Sequence, residues 1–166
     1  MSLEQKNKKI VADYFDRYWV KRDVSVVDEL CSDDFVQSYP NHGPRHGKEG
    51  AKKMLSDFTQ AFPDLTFRQY QTPLIAEGDY VAAQWVGGGT HTGTAFDDMA
   101  VGKLATPNSG KKIYFSGMTI FTLKNGKIVK EIAEEGGLTV LQQLDLVPQP
   151  NPGKEIKWDE EGNQIY

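Results

Sequence analysis

The chain has 166 residues, of which 39% are hydrophobic and 25% are charged, and its formal net charge is −4. This composition is typical of one globular domain and argues against global disorder. The basic residues are scattered, which argues against a nucleic-acid partner. No apolar run approaches the roughly 18–20 residues that cross a bilayer, and the charged N-terminus lacks the apolar stretch of a secretory signal. We therefore expect no membrane partner and a cytoplasmic location, which the single cysteine also fits.

Apolar spacing predicts helices in the first third of the chain. Residues three, four and seven apart form one apolar face between Leu3 and Lys21, and Ser2 can cap this helix. Phe62-Pro63 stops the last of these helices, because a residue before proline is pushed out of the α region. The predicted elements, in order, are helices at about 3–21, 25–30 and 48–61, a strand or extended segment at 35–39 and a Pro- and Gly-rich loop at 40–47.

From residue 65 onward the pattern changes to alternation, which predicts strands. The run from Tyr80 to Val86 places Val81, Ala83 and Trp85 on one face. Glycines at 87–89 predict that this strand bends or bulges near its end. The predicted elements of this half are strands at 65–71 and 80–86, a loop at 94–110, a hairpin at 111–137 and a short helix at 138–146.

The strongest local signal is the hairpin around Asn125-Gly126. Asn-Gly supplies the two positive-φ positions of a type I′ turn at little steric cost. The first flanking run is rich in aromatic and β-branched residues, which suit a pleated, half-buried surface. If this hairpin lies in the middle of the sheet, it determines which side chains point into a cavity.

The order of elements predicts an α+β fold in which N-terminal helices pack on a curved antiparallel sheet. Such a sheet, wrapped around a long helix, would form a cone with an apolar closed end and an open mouth, the kind of concave place where pockets form. We expect a single domain at 1–147 and an extended C-terminal arm at 148–166. Trp158 and Ile165 are costly to leave in water, so the arm should pack on the body or on a second subunit.

Five short segments also occur in a recognisable order and spacing. They are Phe62-Pro63-Asp64-Leu65, Glu77-Gly78-Asp79, Thr90-His91-Thr92-Gly93, Ser116-Gly117-Met118-Thr119-Ile120-Phe121 and Gly126-Lys127-Ile128-Val129. Together they resemble the successive signatures of the SnoaL-like polyketide cyclases, also called ester cyclases, which have the nuclear transport factor 2-like fold. The resemblance covers about Lys8 to Leu146. It is more specific for the fold than for the reaction, because this scaffold hosts many unrelated chemistries.

The resemblance implies a small α+β cone that is dimeric or tetrameric and uses no metal and no cofactor. Well-studied members close a ring of an aromatic polyketide by intramolecular aldol condensation. In them a pocket acid/base removes a proton next to a carbonyl, and an apolar cavity holds the enolate. Other members of the fold isomerise ketosteroids, dehydrate, open epoxides or only bind.

The matching positions depart from the family pattern where the chemistry is expected. One polar pocket position corresponds to Thr119. Where many members read Glu-His-Trp-Asp, this chain has Glu131 in place of the His and Ala133 in place of the Asp that would be the general acid/base. Alanine cannot move a proton. The His often found after the Phe-Val segment is replaced by Ser38.

Strand alternation identifies other proton-transfer candidates. Because side chains alternate with period two, Val129, Glu131, Ala133 and Glu135 should share one face. Glu131 would then be a carboxylate in an apolar cone, where desolvation raises its pKa toward the range of a general base. Alternatively, it pairs with a lysine or lies in water at the mouth. Glu134 and Glu135 would exchange faces if the strand contained a bulge. We predict Glu131 and Glu135 as catalytic candidates.

Histidines supply one further candidate. His91 lies where a strand meets a loop and could act as a base or hydrogen-bond donor at the cone mouth, or else be a polar strand-end residue. We therefore count it as the third catalytic candidate. His42 and His46 lie four apart in a loop without a third ligand nearby, so no metal site is predicted there. Asp97-Asp98 is interpreted as a solvated loop pair.

Two function classes remain open. In the first, the protein binds a small apolar carbonyl compound in a conical pocket and catalyses acid/base aldol cyclisation or isomerisation. In the second, it is a non-catalytic binding or interaction module that lost the base at Ala133. An exposed convex sheet face also predicts a homodimer or a higher homo-oligomer. The residues that we expect in the substrate-binding wall are Tyr14, Tyr39, Trp85, Thr119, Phe121 and Ala133.

Overall fold

The computed structural model describes all 166 residues. None of its helices combines the length and the apolar character needed to cross a membrane. A five-residue π-helical turn, Asp16–Val20, extends the first helix. The helices are α1 (Leu3–Phe15), α2 (Val26–Leu30), α3 (Gly47–Ala61) and α4 (Gly137–Gln143). The strands are β1 (Cys31–Tyr39), β2 (Gly43–His46), β3 (Thr66–Gln69), β4 (Ile75–Glu77), β5 (Tyr80–Thr90), β6 (Lys112–Lys124), β7 (Lys127–Glu135), β8 (Lys157–Trp158) and β9 (Gln164–Ile165).

Seven strands form one curved sheet with the order β2-β1-β7-β6-β5-β3, and β4 also pairs with β5. The prediction of an α+β fold is confirmed, but the sheet is mixed rather than purely antiparallel, because β1 runs parallel to β7. A parallel pair needs a long crossover. Here the chain between the two strands, which includes α3 and β3 to β6, provides it. β1 is also longer than predicted, since it starts at Cys31 rather than at residue 35.

The core lies between the helices and the inner face of the sheet. Val81, Ala83 and Trp85 of β5 are all buried on this face, as their alternation predicted. They join one continuous cluster with the apolar sides of α1 and α3. Burying each large apolar side chain stabilises the fold by about 1.5–3 kcal/mol, so this face holds the helices on the sheet.

The β6–β7 hairpin lies in the middle of the sheet, between β5 and β1. Asn125 and Gly126 have φ values of 51° and 75°, as the predicted type I′ turn requires. The pairing shifts register between Thr122 and Leu123. This irregularity buries Ile128 and leaves Val129 only half-buried. The expectation that Val129 shares the inner face is therefore wrong.

The glycines of β5 do not interrupt the strand. Pairing with β6 continues without a shift from Tyr80 to Thr90, so the predicted bulge at 87–89 is wrong. The strand instead needs glycine for close packing. A Cβ atom on Gly88 would lie 1.8 Å from the carbonyl oxygen of Ile113, and one on Gly87 would lie 2.1 Å from that of Thr66.

The last residues fold back onto the body. β8 and β9 form a small antiparallel pair. The ring of Trp158 packs edge-on against Tyr114 and Tyr70, with ring centroids 5.1 and 6.4 Å apart. Of the two places that we expected for the arm, the body of the same chain is the one that it occupies.

Candidate active site

Glu131, in the middle of β7, is a fully buried carboxylate that accepts four hydrogen bonds. Its Oε1 accepts from the Tyr39 hydroxyl at 2.6 Å and from the Trp19 indole N–H at 2.9 Å. Its Oε2 accepts from the Tyr14 hydroxyl at 2.6 Å and from the Gln37 amide at 2.9 Å. Every donor is a side chain of the protein, so both oxygens are fully occupied.

Two local structures bring these donors together. Gln37 and Tyr39 are two residues apart on β1, so their side chains share a face, and Gln37 lies beside Glu131 in the parallel β1–β7 pair. Tyr14 and Trp19 are five residues apart on the first helix. The π-helical turn, whose closing bond runs from the Lys21 N–H to the Asp16 carbonyl, suits that five-residue spacing.

Burial raises the pKa of Glu131, and the hydrogen bonds from Tyr14, Tyr39, Trp19 and Gln37 offset only part of this rise. Burial and the nearby carboxylate also raise the pKa values of Tyr14 and Tyr39 well above the usual tyrosine range. The carboxylate therefore receives hydrogen bonds from neutral phenols and has no free lone pair directed at a ligand. In this arrangement Glu131 fixes the positions of its donors.

A small cavity lies beside this network and is enclosed mainly by aromatic rings. Its volume is about 10 Å³, which is room for about one water molecule. Seven of the lining side chains are Phe, Trp or Tyr rings, and the other two are the imidazole of His42 and the carboxylate of Glu135. The lining residues are Phe15, Trp19, Tyr39, His42, Phe58, Phe67, Trp85, Phe115 and Glu135.

Glu135, at the end of β7, brings a carboxylate to the cavity. Its Oε1 accepts a hydrogen bond from the Asn41 backbone N–H at 2.8 Å, and its other oxygen has no hydrogen-bond partner. Burial raises the pKa of Glu135, although the Asn41 hydrogen bond and the proximity of His42 lower it in part. Glu135 thus combines a held carboxylate, a free oxygen and a raised pKa at an apolar cavity.

His42 brings an imidazole ring to the cavity lining, and Asp98 holds its Nδ1. Its Nδ1 lies 3.0 Å from the backbone carbonyl oxygen of Asp98 and 3.2 Å from the Asp98 carboxylate. The same carboxylate pairs with Arg45. Burial of Asp98 would raise its pKa, but the hydrogen bonds from His42 and Arg45 outweigh this effect and lower it. The Asp98 carboxylate is therefore held by two side chains. Our interpretation of Asp97-Asp98 as a solvated pair is wrong for Asp98.

His91 is fully buried and is occupied by the loop that follows it. Its Nε2 lies 2.6 Å from the Thr94 carbonyl oxygen, which fixes the proton on Nε2. Its Nδ1 accepts from Ser109, whose backbone N–H lies at 3.2 Å. His91 thus joins both ends of the 94–109 segment. It is not among the cavity-lining residues, and its contacts favour a structural role.

The predicted binding-wall residues fall into two groups. Tyr39 and Trp85 line the cavity. All six are buried, but the others lie outside the cavity lining: these are Tyr14, Thr119, Phe121 and Ala133. The Thr119 hydroxyl accepts a hydrogen bond from the Trp85 indole N–H at 2.9 Å. Thr119 therefore positions Trp85, a cavity-lining residue, without lining the cavity itself.

Sequence reasoning did not identify His42 and Asp98 as a pair. They are 56 residues apart, and both lie outside periodic elements, where alternation gives no face. The only available signal was that a histidine and a carboxylate each occur in a predicted loop. No group of three or more His, Cys, Asp or Glu side chains is arranged to hold a metal ion.

Comparison with solved structures identifies the fold. The crystal structure of a protein from Jannaschia sp. CCS1, described as a SnoaL-like polyketide cyclase, superposes with a TM-score of 0.72. The two sequences are 23% identical, and the match covers 89% of this chain and 97% of the other. AclR of Streptomyces galilaeus, described as a hydroxylase, gives a TM-score of 0.69 at 20% identity. This match covers 90% of this chain and 91% of the other. A structure from Bacillus cereus, described as a polyketide cyclase, gives a TM-score of 0.66 at 23% identity. This match covers 86% of this chain and 83% of the other. A search of curated protein sequences finds no match.

The helices on a curved mixed sheet therefore define a nuclear transport factor 2-like fold. Within that fold, the sequence model of one family, SnoaL-like polyketide cyclase, matches residues 9–144. Because this match spans most of the 166 residues, the chain belongs to the SnoaL-like polyketide cyclase family.

Proposed function

We propose that this protein is a cofactor-independent acid/base catalyst that removes a proton next to the carbonyl group of a small apolar compound, with Glu135 as the base. One observation carries the proposal: Glu135, whose carboxylate is held at one oxygen and has the other without a hydrogen-bond partner, lines an otherwise aromatic cavity. Burial raises the pKa of Glu135, which brings a carboxylate closer to the basicity that a proton-transfer catalyst needs.

The base in this proposal differs from the strongest sequence candidate. Glu131 has both oxygens occupied by four protein donors, and it does not line the cavity. We assign it the role of holding Trp19 and Tyr39, two walls of the cavity. His91 is likewise assigned to hold its loop. Glu135 is the one catalytic candidate from the sequence whose side chain borders the cavity.

The proposed reaction follows from the family and from this geometry. The Glu135 carboxylate takes a proton from the carbon next to the substrate carbonyl. The C–H electron pair becomes the C=C bond of an enolate, and the negative charge moves to oxygen. In a cyclisation, the enolate carbon then attacks a second carbonyl carbon of the same molecule, and the proton that Glu135 took is returned to the new alkoxide. The aromatic walls exclude water and match a flat, apolar substrate.

The cavity must enlarge before such a substrate binds, since it has room for about one water molecule. Phe96 packs on Phe58 and His42, two of the cavity walls, with ring centroids 5.5 and 6.3 Å apart. Phe96 belongs to the long segment between β5 and β6. Movement of this segment would release both walls, so we propose it as the route by which substrate enters.

The test is exchange of the α-protons of 2-tetralone, an apolar aryl-fused ketone, followed by proton NMR in D2O. We expect the protein to accelerate exchange above the buffer rate, and Glu135→Gln to lower the acceleration by about 100-fold or more. The rate should rise with pH as Glu135 loses its proton. Because burial raises its pKa, the midpoint should lie above the ordinary glutamate value of 4.5.

Glu77→Gln is the control, because Glu77 is an exposed carboxylate of β4 that does not line the cavity. It should retain the wild-type exchange rate. Equal exchange rates for Glu135→Gln and wild type would refute Glu135 as the base. Absence of any acceleration by the wild type would refute catalysis on this class of compound.

A specific observation also favours a second candidate, a non-catalytic small-molecule-binding module. The cavity is nearly filled by its own rings, and the family acid/base position is Ala133. In that case 2-tetralone would broaden or shift the NMR signals of the protein with no exchange of its α-protons. Binding without exchange, unchanged in Glu135→Gln, would support this module over the enzyme.

We also propose that the protein works as a homodimer or higher homo-oligomer in the cytoplasm. The proposed assembly is supported by apolar side chains on the outer face of the sheet, such as Ile120 and Ile132. The proposed location is supported by the single cysteine, Cys31, which is buried and unpaired.

A further inference from the structure

His42 has the geometry of an oriented proton-transfer group. It lies on the short connection between β1 and β2, and its ring packs against Phe58 with centroids 5.1 Å apart. Its side chain is only 6% exposed. Both atoms near its Nδ1, the Asp98 carbonyl oxygen and a carboxylate oxygen, are acceptors. Nδ1 therefore carries a proton, and Nε2 is the ring nitrogen left to exchange a proton with a ligand.

Nε2 makes no hydrogen bond within the protein, and His42 lines the same cavity as Glu135. The two are near enough for a positive charge on His42 to lower the pKa of Glu135. A carboxylate that fixes one ring nitrogen and leaves the other without a partner is the arrangement of a nucleophile-activating or oxygen-protonating histidine.

We propose that His42 is a second catalytic residue, which transfers a proton between Nε2 and the substrate oxygen while Glu135 acts at carbon, and that Asp98 is the residue that positions it. This inference rests on the proposed function. In the forward step Glu135 takes the α-proton, the C–H pair forms the C=C bond, and the oxygen receives the Nε2 proton. The product is a neutral enol, and the reverse step returns both protons.

Asp98 lies in the segment between β5 and β6, so the position of this segment and the orientation of His42 are linked. Arg45 on β2 holds the Asp98 carboxylate, and Phe96 packs on the His42 ring two residues earlier. The charged groups that face His42 are therefore Asp98, Arg45 and Glu135. When the segment moves away to admit substrate, His42 loses the partner of its Nδ1, and it regains that partner on closure.

The experiment compares four variants in the 2-tetralone exchange assay. His42→Asn keeps an N–H group that can reach Asp98 but has no Nε2, and it should lower the acceleration by about 100-fold. Asp98→Asn keeps the shape of the side chain but removes its charge, and it should lower the acceleration by about tenfold. The matched controls are His46→Gln and Asp97→Asn, since both residues are exposed and neither lines the cavity. These two should stay within twofold of wild type.

The pH profile separates a catalytic role from a structural one. Wild type and His42→Asn should both show the rising limb that belongs to Glu135. Above that limb the profile of His42→Asn should differ in shape from that of wild type, whereas a folding defect would scale the whole profile. If His42→Asn does not fold, as judged by circular dichroism, His42→Gln takes its place with the same expectation.

A second measurement does not depend on activity. Nitrogen-15 NMR of the histidine side chains should show the neutral form of His42 protonated at Nδ1, and this signal should move in Asp98→Asn but not in Asp97→Asn. A neutral form protonated at Nε2 would overturn the inference. So would a His42→Asn rate equal to wild type while Glu135→Gln is inactive, in which case the proposed function stands. An active Glu135→Gln variant would remove the proposed function and this role of His42 with it.

Discussion

Glu131 is the residue on which the interior of this protein depends most. A buried carboxylate that loses its hydrogen-bond donors is costly, and buried donors that lose their acceptor are costly as well. Here four donors, two from the first helix with its π-helical turn and two from β1, converge on one side chain, with distances of 2.6 to 2.9 Å. The network is fully satisfied, and its value to the fold lies in fixing Tyr39 and Trp19 at the cavity.

We expect Glu131→Leu to lower the free energy of unfolding by about 3–5 kcal/mol. The substitution removes the shared acceptor of two buried phenols, an indole N–H and an amide, and breaking a buried charged network typically has an effect of this size. Urea unfolding measures the change. The same substitution at Glu77, an exposed residue of β4, should change the stability by less than about 0.5 kcal/mol. Equal stabilities for the two variants would show that the network contributes little.

At the level of single elements, β5 shows why a run of three glycines can belong to a regular strand. Its neighbours β3 and β6 approach so closely that a Cβ atom at Gly88 would overlap a backbone carbonyl of β6. Backbone atoms of a central sheet cannot move aside as a flexible side chain can. Gly88 is therefore required by packing between strands, and the strand does not need it for a turn.

We expect Gly88→Ala to destabilise the protein by about 3 kcal/mol, at or above the upper end of the usual range for overpacking, because the contact at 1.8 Å is with backbone. Gly50→Ala is the control. Gly50 lies in α3, where the nearest side-chain atom would be 3.4 Å away and alanine favours the helix by about 1 kcal/mol. Thermal unfolding of the two variants should therefore move in opposite directions. A Gly88→Ala protein as stable as wild type would contradict this account.

The elements also show which parts of the fold the sequence specifies locally. The Asn125-Gly126 turn and the alternation around Trp85 were predicted because each depends on neighbouring residues alone. The register shift beside Val129 and the parallel pairing of β1 with β7 depend on strands far apart in the chain. No local pattern encodes them. The π-helical turn was also missed, because a single widened turn leaves helical spacing nearly intact.

The candidate site follows the same division. Alternation predicted Glu131 on the inner face, with pairing to a lysine or a place in water at the mouth as alternatives, but it did not predict the four donors, since they come from a helix and a distant strand. Its assignment as base came from the expectation of an empty cone. His42 and Asp98 meet only through the tertiary fold of two loops. Sequence patterns thus found the face of the sheet that forms the site, and the three-dimensional contacts identify which groups on it are free to react.

For the whole molecule, the outer face of the sheet is the surface that needs an explanation. Met118, Ile120 and Ile132 are 55%, 54% and 41% exposed, and Ile120 pairs directly with Ile132 across β6 and β7. On β7, Ile132 is flanked on the same face by Lys130 and Glu134. Such a strip is self-complementary. If two copies meet about a two-fold axis near Ile132, Lys130 lies opposite Glu134 of the partner subunit.

We therefore expect a homodimer that a charge swap can break and restore. Lys130→Glu and Glu134→Lys should each weaken dimerisation by about tenfold or more, because each places like charges together twice across the axis. The double variant Lys130→Glu/Glu134→Lys should recover the wild-type affinity, since it only exchanges the two charges. Analytical ultracentrifugation over a concentration series measures all four proteins. Leu138→Glu, which removes an exposed apolar side chain on α4, is the control and should leave dimerisation unchanged. A wild type that stays monomeric, or single variants that dimerise as wild type does, would show that this face is not the dimer interface. Recovery of dimerisation in the double variant is the result that only a two-fold pairing of β7 strands explains.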